Sequence, residues 1–162
     1  MLLATALASL SQCGAARAAS AGAMSLDSDG LVSPLTGGTK VSGVSASANV
    51  YSAGATQVLY TVKFKAEHAL AEPSGYVRLT APAGAEFYSA NSYSYEVSNG
   101  SKSAQSNEVK TSPEGLGENV VDVYIPGFSI AAGETVTIAA YGSKNPTSED
   151  PSGKFSVSTS AD

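Results

Sequence analysis

Tryptophan is absent from this 162-residue chain, and cysteine and histidine occur once each. The lone Cys13 can form no internal disulfide, and with the single His68 it cannot build a zinc site of the usual Cys and His kinds. Charge is also scarce: 14% of the residues are Asp, Glu, Lys or Arg, against about 25% in an ordinary globular protein. Nine basic residues stand against fourteen acidic ones, for a net charge of -5 and a pI near 4.8. Neutralising phosphates needs clustered Lys and Arg in surplus, so a nucleic-acid binder is excluded. No apolar run reaches the roughly 20 residues of a membrane-spanning helix.

What is present is Ser and Ala, together about a third of the chain, far above ordinary usage. The surface this predicts is rich in hydroxyls, and the length is that of one domain. Residues 1–10 (MLLATALASL) form an apolar run of signal-peptide length, followed by small residues with several A-x-A sites. No Lys or Arg precedes the run. Cleavage after Ala18, Ala21 or Ala23 satisfies the small-residue requirement equally, so residues 1–23 are read as a signal peptide. Cys13 ends the stretch Leu10-Ser11-Gln12-Cys13, but Gln12 stands where a lipobox needs Gly, Ala or Ser, and the cysteine is expected to leave with the signal. The expected location is secreted or cell surface, where a domain free of disulfides must be held by its core alone.

Residues 24–40 read as a turn-rich lead-in, and period-2 alternation then runs over residues 41–162 with no helix of any length. Val44, Ala46, Ala48 and Val50 alternate with Ser45, Ser47 and Asn49, as in a strand with one buried and one wet face. Val58, Tyr60, Val62, Phe64 and Ala66 form the longest and most apolar candidate, predicted at the centre of the core. Further strands are predicted over residues 76–80, around Tyr93, Tyr95 and Val97, over 101–106, 119–125 and 135–141, and through Phe155, Val157 and Thr159. Asn99-Gly100 predicts a type I′ hairpin turn, whose two central residues both need positive φ. Seven to eight short strands with regular turn signals predict an all-β, antiparallel, immunoglobulin-like β-sandwich, although a barrel would show the same alternation.

Several blocks resemble immunoglobulin-like modules of bacterial, especially actinobacterial, cell-surface and secreted proteins. They are Ser52-Ala53-Gly54-Ala55-Thr56 running into Val58-Leu59-Tyr60-Thr61-Val62; Leu79-Thr80-Ala81-Pro82-Ala83-Gly84; Ile130-Ala131-Ala132-Gly133-Glu134-Thr135-Val136-Thr137-Ile138; and Asn145-Pro146 ahead of Phe155-Ser156-Val157-Ser158-Thr159-Ser160. The resemblance covers about residues 41–162. Its motifs are turn and strand residues, so it implies a fold, a location and a role in adhesion or spacing at the cell surface, and no catalytic residue.

Candidate sites are few. Tyr88, Asn91, Tyr93 and Tyr95 lie in the Ser-rich stretch FYSANSYSYEVSNG, whose composition resembles antibody paratopes and would equally stack on sugars. Against that, Tyr93 and Tyr95 share a face with Val97, which favours the core for that face and makes Tyr88 with Asn91 the expected exposed pair. Asp27 and Asp29 have the D-x-D-G spacing of half a calcium loop, and Glu149-Asp150 could add carboxylates, but the third acid and terminal Glu of an EF-hand are missing. Asn99-Gly100-Ser101 fits the N-glycosylation pattern, relevant only in a host that glycosylates. His68 lies beside Glu67, yet no G-x-S-x-G elbow accompanies it.

The expectation is therefore a non-enzymatic secreted or cell-surface module with an adhesion or spacer role and no cofactor. Its partners would be a cell-wall or extracellular polymer or a host surface, with no nucleic acid and no membrane span. The alternative is a carbohydrate-binding accessory domain of a secreted hydrolase.

Overall fold

A computed structural model of the protein describes residues 36–37, 41–88, 94–106, 108–148 and 155–162. The predicted signal peptide lies outside these residues. Alternation becomes structure most directly in β3 (Val58–Ala66), where Val58, Tyr60, Val62, Phe64 and Ala66 are all buried while Lys63 and Lys65 are exposed. Ten strands are formed among the described residues. The others are β1 (Thr36–Gly37), β2 (Val41–Ala48), β4 (Tyr76–Thr80), β5 (Tyr95–Ser98), β6 (Ser103–Gln105), β7 (Val109–Thr111), β8 (Val120–Tyr124), β9 (Thr135–Ser143) and β10 (Ser156–Thr159).

They make two five-stranded sheets, ordered β1-β10-β4-β8-β7 and β2-β3-β9-β5-β6. Every pairing is antiparallel except the two-residue contact of β1 with β10, which is parallel. The inner faces share one apolar core: Val62, Phe64, Val97, Val136 and Ile138 from one sheet meet Val77, Leu79, Val121, Val123 and Val157 from the other. Two sheets with polar outer faces closed over one core are the layered arrangement of a β-sandwich.

The ten strands exceed the seven to eight expected by β1, which falls within the expected lead-in and pairs parallel, and by β7. Three features depart from the sequence reading in detail. The expected strand over residues 44–50 begins at Val41 instead and ends at Ala48, leaving Val50 exposed. Val41 and Val44 are three apart yet both buried, because the pairing with β3 shifts register between Ser42 and Ser45, at Gly43 with φ +60; such a bulge returns the strand to its original face. The hairpin turn is displaced by one residue: Asn99 N–H donates to the Lys102 carbonyl (3.1 Å), so Gly100 and Ser101 are central, and only Gly100 (φ +85) has positive φ. That is the type II′ pattern in place of type I′. Finally, β7 is a separate strand in the opposite sheet. The chain crosses at the buried Ser106, whose Oγ lies 2.6 and 2.8 Å from the carbonyls of Glu108 and Tyr124.

The outer face of β4, β8 and β7 is tied by cross-strand pairs. Arg78 and Asp122 face each other and form two hydrogen bonds of 2.7 and 2.8 Å over the buried carboxylate. Tyr76 and Tyr124 pair beside them with ring centroids 5.4 Å apart, and Lys110 Nζ donates to the Tyr124 hydroxyl (2.8 Å). No described helix is long and apolar enough to cross a membrane.

Candidate functional site

The β4–β5 connection travels from one sheet to the other, and residues 86–88 are stitched to both. Glu86 and Lys144 exchange backbone hydrogen bonds of 3.1 and 2.9 Å just beyond β9, while Phe87 N–H donates 2.9 Å to the Glu118 carbonyl in the lead to β8. A cleft of about 360 Å³ opens there, lined by Glu86, Phe87, Tyr88, Thr111, Ser112, Glu118, Gly142 and Lys144. This is at the small end of the size range of ligand sites.

Tyr88 is 44% exposed. Its backbone is fixed by Tyr95, whose hydroxyl donates 2.9 Å to the Tyr88 carbonyl. Its ring lies against Gly142, where a Cβ would meet Tyr88 Cγ at 3.4 Å, and the Gly142 φ of +74 is itself one that side chains rarely adopt. The ring is therefore presented at the cleft in a fixed place, at little further cost in side-chain freedom on binding.

The polar groups converge from three strand ends. Lys144 Nζ sits 2.5 Å from Glu86 Oε1, in an ion pair both of whose side chains are about a third or more exposed (34% and 42%). Such a pair is worth at most about 1 kcal/mol to stability, so both groups can turn toward a ligand cheaply. Glu118 is exposed, and Thr111 and Ser112 add hydroxyls. Two carboxylates, one ammonium and three hydroxyls give donors and acceptors in similar number around one aromatic ring.

The sequence-predicted residues separate. Tyr88 stands at the cleft as an exposed ring. Tyr95 is fully buried among core side chains, and desolvation pushes its hydroxyl well above the usual tyrosine range. It is therefore corrected from a ligand contact to a support for Tyr88. Asn91, Tyr93, Asp27, Asp29, Glu149 and Asp150 lie outside the described residues. Asn99 occupies the β5–β6 hairpin, its Nδ2 donating 3.1 Å to Glu134 Oε2. His68 is exposed after β3 and does not line the cleft. Among the described residues no three His, Cys, Asp or Glu side chains gather in a manner that could hold a metal ion.

Glu86, Glu118, Lys144, Thr111 and Ser112 were not legible as site residues, because they come from separate segments and carry no local motif. One signal was available: an isolated glycine within the strand-like run 135–143, which marks a bulge or a close approach. No family model, no curated protein and no solved structure matches the chain.

Proposed function

We propose that the chain is a non-enzymatic adhesion module of a secreted or cell-surface protein, immunoglobulin-like in its sandwich, which takes a hydroxyl-rich extracellular or cell-wall polymer at the Tyr88 cleft. The observation that carries the reading is the Tyr88 ring, exposed yet held by Tyr95 and Gly142 beside Glu86 and Lys144. A saccharide unit has an apolar face and an edge of hydroxyls, so it needs one ring and a surround of donors and acceptors, which is the composition of this cleft. The same geometry supports the second reading, a carbohydrate-binding accessory domain. The two differ in what lies elsewhere in the parent protein and not in the cleft.

The test is binding of the purified domain to an array of glycans and cell-wall polymers, with calcium and with chelator. Binding that is lost in Tyr88→Ala and weakened in Lys144→Ala, with the circular dichroism spectrum unchanged, is the expected result. A folded domain that binds nothing on the array, or binds equally well without the Tyr88 ring, overturns the cleft as a binding site and leaves the spacer role.

A further inference from the structure

We propose that Asn99 is a site of self-modification, at which the Gly100 backbone nitrogen attacks the side-chain amide and converts asparagine to aspartate and isoaspartate. The inference is independent of the cleft. It rests on four contacts that surround the three reacting atoms.

The attacking nitrogen belongs to glycine, which has no Cβ to obstruct ring closure, and the turn tip carrying it is exposed. Its N–H points to Ser98 Oγ at 3.2 Å, which gives the departing proton an acceptor on its way to water. The electrophile is Asn99 Cγ, whose Oδ1 already accepts from the N–H groups of Ser101 (3.2 Å) and Lys102 (2.9 Å). Two backbone donors aimed at one carbonyl oxygen are what stabilises the negative charge that attack places there. The leaving nitrogen, Nδ2, is drawn to the opposite side by Glu134 Oε2 at 3.1 Å, and that carboxylate is itself held by Ala131 N–H at 2.9 Å.

In the reaction, the Gly100 nitrogen loses its proton and forms a bond to Cγ; the bond from Cγ to Nδ2 then breaks and the amide nitrogen leaves as ammonia after taking a proton from water. Water opens the resulting five-membered imide at either carbonyl. Cleavage at one side yields aspartate, and at the other isoaspartate with the backbone rerouted through the side chain. Glu134 is a positioning residue, which keeps the amide turned so that Oδ1 stays on the two N–H donors. Either product sets a new carboxylate against Glu134, replacing an attraction between the β5–β6 hairpin and the turn before β9 with a repulsion.

The experiment incubates the folded domain and a free peptide spanning residues 96–104 in parallel at neutral and mildly alkaline pH. Peptide mapping by mass spectrometry follows the mass gain that replaces an amide by an acid, and enzymatic methylation counts isoaspartate. Conversion of Asn99 several-fold faster in the domain than in the peptide, rising with pH, is expected. Glu134→Ala should slow it to the peptide rate, and Glu134→Gln, which keeps an oxygen for Nδ2, should restore most of it. Slower conversion in the folded domain than in the peptide would overturn the proposal, because the turn would then protect the amide. Equal rates in the domain and Glu134→Ala, both folded, would overturn the role of Glu134.

Discussion

Asn145 is the residue whose removal should reveal most about how the sandwich end is held. It is 3% exposed, and its side chain satisfies three groups at once. Oδ1 accepts from the Tyr60 hydroxyl at 2.6 Å, and Nδ2 donates to the carbonyls of Val50 (2.9 Å) and Ser52 (3.0 Å). Asn145→Ala strands the Tyr60 hydroxyl inside the core, where its remaining contact is a long 3.4 Å approach to the Lys144 carbonyl. The Val50 and Ser52 carbonyls belong to exposed or half-buried residues and can rehydrate. The main cost is thus one orphaned buried hydroxyl plus the net loss of two ordinary bonds, together about 3 kcal/mol. Urea unfolding followed by circular dichroism measures it as a lower midpoint at unchanged slope. The decisive arm is Tyr60→Phe made in both backgrounds. In the native protein it leaves Asn145 Oδ1 without its donor and should destabilise, whereas in Asn145→Ala it removes a hydroxyl already orphaned and should be neutral or stabilising. The two variants should therefore couple by at least about 1 kcal/mol. An Asn145→Ala cost below about 0.5 kcal/mol, or the same Tyr60→Phe cost in both backgrounds, would refute the reasoning.

Three further outcomes can be checked on the same preparations. Gly142→Ala forces a side chain into φ +74 and against the Tyr88 ring, so it should cost about 1–2 kcal/mol and also weaken any ligand held at the cleft; unchanged stability would mean the backbone there relaxes freely. Ser143 Oγ is buried and has no hydrogen-bond partner among the described residues, so Ser143→Ala should leave the unfolding midpoint unchanged or raise stability by up to about 1 kcal/mol. Burial pushes the Tyr60 hydroxyl up from 10.0 to about 12. The folded state therefore keeps a proton that the unfolded chain gives up, and the stability this contributes is fully present below pH 10 and lost as pH rises through 12. Urea midpoints should fall across that window, and less steeply in Tyr60→Phe.

Much of the fold was legible because an antiparallel sheet with one wet face writes its own period into the chain. β3 alternates for nine residues and β9 over its first seven, Thr135 to Tyr141, and the buried positions there follow from that alone. Beyond Tyr141 the register with β3 shifts and Ser143 is buried out of period. Legibility fails where the backbone leaves the period. Gly43 inserts a bulge that brings Val41 and Val44 to the same face, the hairpin turns on Gly100-Ser101 and not Asn99-Gly100, and β7 is three residues long, too short to show any period. Tyr88 was legible as an exposed aromatic in a polar stretch. Its neighbours at the cleft were not, since they meet through strand ends far apart in the chain.

The sequence by itself determined the all-β character, most apolar positions of the long strands and the segments that turn, though not the exact turn residues, because these depend on side-chain alternation and on Gly, Pro and Asn acting locally. Tertiary structure alone decided which strands share a sheet and that Tyr95 supports Tyr88 from within the core. It alone set Glu86, Glu118 and Lys144 around one ring. Those outcomes depend on how two twisted sheets register over a common core, and no local pattern encodes the distance between residues that meet only when both sheets are closed.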